Sequence, residues 1–155
     1  MTLVNRVQRH LQTHHVATLA TNGLDGVWAA AVFYVHDGWD LYFLSSPTSR
    51  HCVNMADDAR VAVTIQADYS DWPGIKGVQL QGVVQQLGGD AQTRARQLYG
   101  EKFPVVGKLA QAPAAVVKAL AKVGWYRLTP QRLLYIDNSL AFGHREEVDL
   151  TLALP

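Results

Sequence analysis

The chain has 155 residues, 48% of them hydrophobic and 17% charged, a balance that excludes disorder and fibrous repeats and fits one compact domain over residues 1–155. Fourteen Lys and Arg against thirteen Asp and Glu leave a net charge of +1, which excludes a broad electrostatic footprint for nucleic acid or an anionic membrane, so any anion has to be held locally. The one cysteine, Cys52, excludes an internal disulfide and a thiolate zinc site.

Thr2 is placed to cap a first helix, because Leu3, Val4, Val7 and Leu11 recur at helical spacing while Asn5, Arg6, Gln8 and Arg9 face outward. This helix ends near His14 and His15. Residues 16–21 read as a strand, and Asn22-Gly23 with Asp25-Gly26 supplies the positive-φ residues of a tight reversal. A second strand over residues 27–35 turns at His36-Asp37-Gly38 and returns over residues 40–44, which predicts a three-stranded meander. Residues 27–35 are also the longest uninterrupted apolar run, far short of the roughly 20 residues that span a bilayer. The amino terminus lacks an apolar signal core, so the expected location is cytoplasmic, with no membrane partner.

That second strand does not alternate apolar with polar residues and is apolar on both faces. Small side chains at Ala29, Ala30 and Ala31 let a flat object approach its backbone. A planar cofactor, a partner subunit and the chain's own helices are each sensible covers for the second face.

After Leu44 comes the polar stretch Ser45-Ser46-Pro47-Thr48-Ser49-Arg50-His51, then a short helix to Ala56 and a fourth strand over residues 60–67. A loop over residues 68–74 leads to a long fifth strand, residues 75–87, in which Gly82 invites a bulge. Gly88-Gly89-Asp90 ends it and starts a helix to Lys102. Residues 103–123 read as helical in two pieces, punctuated by Pro104, Gly107 and Pro113, and residues 125–140 return to strand with a break at Thr129-Pro130. With no repeated βαβ unit, the order predicts a mainly β, α+β chain, an antiparallel barrel with peripheral helices.

The stretch from Ser45 to His51 is the densest polar constellation. Ser46 reads as a helix N-cap and Pro47 as the first helical residue, which sets free backbone N–H groups beside four hydroxyls and Arg50. An anion is favoured there by the helix dipole, the hydroxyls and a charge-assisted pair with Arg50. The alternative is that the serines and threonine serve only as caps and Arg50 is solvated.

Residues 16–82 carry a further pattern in order: Ala-Ala-Ala-Val-Phe-Tyr, Leu-Tyr-Phe-Leu-Ser-Ser, Ser-Arg-His-Cys-Val-Asn and Lys-Gly-Val-Gln-Leu-Gln-Gly. This combination resembles the pyridoxamine-phosphate-oxidase-like, FMN-binding split-barrel superfamily. Residues 127–143, from Arg-Leu-Thr-Pro-Gln-Arg to Ser-Leu-Ala-Phe-Gly, resemble a small bacterial branch of it. The resemblance implies an antiparallel split β-barrel, backbone contacts from Ala30, Ala31 and Val32 to the isoalloxazine ring, and a phosphate held by Ser49, Arg50 and His51 with Ser45 and Ser46 at hand. His51 stands where the family has a lysine, and a neutral imidazole is the weaker phosphate partner. Alanine, near Ala29, stands where the oxidase has an arginine, which argues against pyridoxamine-phosphate oxidase activity itself. Lys76 and Gln79 would meet the polar edge of the ring. The superfamily also implies a homodimer whose partner chain closes the site, with Trp125, Asn138 and Phe142 as contributors and Trp72 on a lid loop.

The implied function is an FMN-dependent oxidoreductase acting on a small molecule, with NAD(P)H as the electron donor to test and the flavin doing the redox chemistry. The alternatives are a non-catalytic flavin-binding protein and a binder of another planar cofactor, a deazaflavin or haem. Haem needs an axial ligand, for which no histidine is convincingly placed. No Gly-x-Gly-x-x-Gly, Walker loop, His-Glu-x-x-His or Gly-x-Ser-x-Gly occurs, and no catalytic side chain is assigned. His14 and His15 point in different directions and suit a helix C-terminus, Cys52 is expected to be buried, and residues 144–147 read as a solvated tail.

Overall fold

A computed structural model describes residues 1–154; Pro155, the last residue of the expected domain, lies outside the described residues. Helix α1 (Leu3–Thr13) begins as its sequence dictates, with the Thr2 hydroxyl accepting from the Asn5 amide at 3.1 Å, and it buries Val7 and Leu11 completely. Strand β1 (Val16–Gly23) and strand β2 (Gly26–Phe33) form a hairpin closed by Leu24-Asp25. Gly26, at φ 92°, is the one residue of this reversal in left-handed space, so the turn needs fewer positive-φ residues than predicted.

The expected meander is corrected at Tyr34. The apolar run does not form one strand: it breaks at Tyr34 and resumes as β3 (Val35–Asp37), which pairs with β4 (Asp40–Ser45). Tyr34 is fully buried, its amide donates to the His15 carbonyl at 3.1 Å, and its hydroxyl donates to the Leu11 carbonyl at 2.9 Å. This one residue carries the chain from one edge of the sheet to the other. The sheet runs β2-β1-β5-β6-β7-β4-β3, where β5 is Arg60–Gln66, β6 is Lys76–Gln86 and β7 is Gly124–Asp137. Because β2 and β3 are edges joined by a single residue, the sheet must curl back on itself, and the result is an antiparallel split barrel, mainly β.

Helix α2 (Arg50–Asp57) packs on β1, where Asn54 donates to the Thr21 hydroxyl at 3.1 Å. Helices α3 (Gly89–Lys102), α4 (Pro104–Gly107) and α5 (Ala114–Leu120), with a 3₁₀ turn at Leu109–Gln111, make three short pieces after α3 where two were expected. The barrel interior holds Leu19, Val63, Ile65, Val78, Leu128 and Leu133, sealed by Val7 and Leu11 of α1 and by Cys52 and Met55 of α2. A second cluster under α3 gathers Tyr42, Leu87, Ala95, Tyr99 and Trp125. Strand β7 does not break at Pro130. Gln81 faces Arg132 and Gly82 faces Pro130, so Gln131 is the extra residue of a bulge, and proline is tolerated there because a bulge does not need its N–H. Residues 144–147 are not a solvated tail: β8 (Arg145–Glu147) pairs with β7, and Glu146 receives a 2.6 Å ion pair from Arg6 of α1. No helix among the described residues is long and apolar enough to cross a membrane.

Candidate functional site

Ser45 ends β4 with its backbone paired to Gly124, and this brings its buried hydroxyl against His51, whose Nε2 shares a 2.8 Å hydrogen bond with it. Ser49 Oγ lies 3.4 Å from the same nitrogen. Burial lowers the pKa of His51, so the imidazole is neutral near pH 7 and positions hydroxyls rather than supplying charge.

The predicted start of α2 is corrected by three residues. Ser46 is not the N-cap and Pro47 is not helical; residues 46–49 form their own turn, in which the Ser49 amide and hydroxyl both donate to the Ser46 carbonyl, at 3.0 and 2.7 Å. Ser49 is the N-cap residue, and because its hydroxyl is turned back, no side chain caps α2. The first-turn N–H groups therefore have no side-chain acceptor, and the oxygens of an anion would complete the cap. Ser46 and Thr48 keep their hydroxyls 3.0 Å apart on the exposed rim of this turn.

Arg50 gives the loop its fixed positive charge. Its guanidinium lies 4.2 Å from the centre of the Trp28 ring and donates to the Asp25 carbonyl at 3.0 Å. Only one of five N–H donors is used in that hydrogen bond. Trp28 was not legible as a site residue; the available signal was a lone large aromatic at the head of an alanine run beside a turn.

Strand β2 exposes most of what it carries. Val27 is 80% exposed, Trp28 45% and Phe33 55%, and Ala29 and Ala31 are exposed as well. Of the predicted ring contacts, Ala31 lies on the outer face, Ala30 is half-buried and Val32 points into the core. The register carries the outer face across four strands: Ala31, Thr18, Thr64 and Gln79 form one row, and Ala29, Ala20, Ala62 and Gln81 the next. These small and amide side chains make a flat surface, and the chain's own helices are not its cover.

The remaining predicted residues fall elsewhere. Lys76 starts β6 opposite Asp137, and Asn138 follows it, at the far end of β7 from Gly124 and Ser45. That is about 40 Å of strand at roughly 3.3 Å per residue, so one chain does not bring Lys76 or Asn138 to the α2 loop. Asn138 is already engaged, its amide donating to the Trp72 carbonyl at 2.9 Å and accepting from the Gly143 amide at 3.0 Å. Trp72 and Phe142 pair at 5.6 Å and are 67% and 78% exposed. Trp125 is corrected outright as a cofactor contact: it is 2% exposed, edge-on to Tyr99 at 5.4 Å, and part of the core beneath α3. His14 stacks on His10 at 3.8 Å and donates to the His10 carbonyl, and among the described residues no cluster of His, Cys, Asp or Glu is arranged to hold a metal.

Residues 3–137 match the family model described as pyridoxamine 5'-phosphate oxidase. A UPF0306 protein of Klebsiella pneumoniae is 31% identical over 141 residues, covering 90% of this chain and 88% of that one. Among solved structures, HutZ, the haem storage protein of Vibrio cholerae, superposes with a TM-score of 0.68 at 20% identity, covering 86% of this chain and 94% of its own. A haem binding protein of Mycobacterium smegmatis superposes with a TM-score of 0.75 at 24% identity, covering 97% of this chain and 60% of its own. Sequence match and split barrel agree, and the chain belongs to the pyridoxamine 5'-phosphate oxidase family, alongside the UPF0306 proteins.

Proposed function

We propose that this protein binds FMN between two copies of the chain and serves as a flavin-dependent oxidoreductase for a small molecule. The observation that carries the reading is the uncovered outer face of β2 and its neighbours, an exposed surface of alanine and threonine rows beside a hydroxyl-rich loop with one anchored arginine. A flat apolar face of this kind is covered in a stable protein by a partner or a planar ligand.

The donor set fits the phosphate end of the cofactor. The rim hydroxyls of Ser46 and Thr48, the uncapped N–H groups of α2 and the free donors of Arg50 hold a dianion, while neutral His51 fixes Ser45. FMN, when bound, supplies hydride and electron transfer. The chain's contribution is to seat the ring against small side chains of β2, with Gln79 in the same outer row, and to exclude water with the second copy, which brings the Trp72–Phe142 pair from the far end of its barrel. Alanine at position 29 leaves no arginine on β2 for a substrate or cofactor phosphate, which is why the oxidation of pyridoxamine phosphate is not the reaction proposed.

Haem is the second reading, because two proteins of similar structure carry haem in their names. None of the six histidines lies on the outer sheet face, and His10, His14, His36, His51 and His144 each engage a ring nitrogen within the chain. The deciding experiment is the absorption spectrum of the purified protein and of the chromophore released on denaturation. Flavin bands in both are expected; a Soret band, or no chromophore and no uptake of added FMN, would overturn the proposal. Bleaching of the bound flavin by NADH or NADPH distinguishes an enzyme from a carrier.

A further inference from the structure

A cavity of about 350 Å³ opens between α1, the loop before β6 and the paired ends of β6 and β7, at the end of β7 remote from Ser45. Its volume lies in the range of small-molecule sites. Arg6, Arg9 and Lys76 bring three cations to its wall, and Tyr69 and Tyr135 add aromatic surface.

The carboxylates nearby, Glu146 and Asp137, pair with Arg6 and satisfy these cations only in part. Arg6 Nη2 donates to Glu146 at 2.6 Å, but its Nη1 is buried, stands 3.5 Å from Asp137 Oδ2 and makes no hydrogen bond. Asp137, itself on the cavity wall, accepts from the amide and hydroxyl of Ser139 through Oδ1, which leaves Oδ2 as the ion-pair partner of Arg6. Arg9 and Lys76 form no ion pair among the described residues. His10, at the same wall, spends its Nε2 proton on the Ile65 carbonyl at 2.8 Å. A buried guanidinium nitrogen without a hydrogen-bond acceptor costs free energy, and with Arg9 and Lys76 the wall sets three cations against the carboxylates of Asp137 and Glu146, so the arrangement is matched to a further negative group from outside the chain.

We propose that this cavity binds a small organic anion through one carboxylate or phosphate group, received by Arg6 Nη1, Arg9 and Lys76, with the body of the molecule against Tyr69 and Tyr135. Within one chain the site is separate from the α2 loop, and it does not rest on the flavin reading. It also gives Lys76 a role other than the ring-edge contact that family resemblance implies.

The test is a titration of the ¹⁵N-labelled full chain with inorganic phosphate and, separately, with benzoate, followed by amide chemical shifts. Either anion should shift residues 6–13 and 76–78 saturably, and the arm that binds tighter names the group. Arg9→Gln combined with Lys76→Gln should weaken binding about tenfold or more, the worth of one or more charge-assisted hydrogen bonds, while Arg94→Gln, a remote exposed cation, should not change it. The amide spectrum of each variant reports whether its fold is kept. Shifts that do not saturate, or that survive the double variant unchanged, would overturn the assignment. FMN in the same spectra would shift residues 46–52, so failure of either reading leaves the other testable.

Discussion

The guanidinium of Arg50 stands 4.2 Å from the centre of the Trp28 ring while it donates to the Asp25 carbonyl, so the cation is fixed to the turn between β1 and β2 before any ligand arrives. Arg50→Ala should weaken FMN binding by about 1.5–3 kcal/mol, the usual worth of a hydrogen bond to a charged group. Trp28→Ala keeps the charge and loses only its platform, and should cost less, about 0.5–1 kcal/mol. Quenching of flavin fluorescence on titration with protein measures both; equal affinities for wild type and Arg50→Ala would remove Arg50 from the site.

His10 gives the fold a pH dependence with a definite sign. Burial depresses its pKa from 6.5 to about 4, partly offset by the hydrogen bond to the Ile65 carbonyl. Between those values the unfolded chain binds the proton and the folded chain does not, so stability falls as pH drops from 6.5 toward 4, by about 3 kcal/mol in all. His10→Gln should flatten that part of the profile. Thermal melts of both proteins at a series of pH values between 7 and 4 check it, and parallel curves would count against His10.

At the bulge, Gly82 is required by contact rather than by backbone angle. A Cβ there would lie 2.3 Å from the Thr129 carbonyl oxygen, an atom held in the paired backbone of β7. Gly82→Ala should destabilise the protein by about 1–3 kcal/mol, the range for overpacking, read as a lower urea midpoint with unchanged slope.

The outer sheet face makes a prediction about assembly. Ala62 is exposed in the middle of the small-residue rows, paired between Ala20 and Gln81, and a long charged side chain there is harmless to a monomer. Ala62→Arg should leave the far-UV spectrum unchanged while lowering both the apparent mass in solution and the uptake of FMN. Loss of neither would place the partner elsewhere.

Local signals made much of this fold legible. Thr2 and the 3,4-spaced apolar residues locate α1, and Gly82 marks the bulge, because capping, periodicity and a missing Cβ act within a few residues. The break at Tyr34 was not legible, since what stops the strand is a pair of hydrogen bonds to His15 and Leu11, contacts that only the closed barrel creates. Trp125 misleads for the same reason: an aromatic at the head of a strand serves core or site alike until α3 is seen to cover it. At the candidate site, Ser45 to His51 stood out as a polar cluster, whereas the Ser49 hydroxyl turning back to Ser46 and the Trp28 floor depend on tertiary placement. Residues 144–147 read as solvated because charged; the carboxylates of Glu146 and Glu147 are matched by Arg6 of α1 and Arg132 of the neighbouring strand, partners that only the fold brings beside them.

The claim that FMN sits between two copies of the chain is tested most directly by sedimentation velocity of the FMN-supplemented protein, detected in the flavin absorption band. Flavin absorbance moving with a species of twice 17.1 kDa is the predicted result. Flavin absorbance moving with a 17.1 kDa species, or remaining unsedimented while the protein moves, would contradict it.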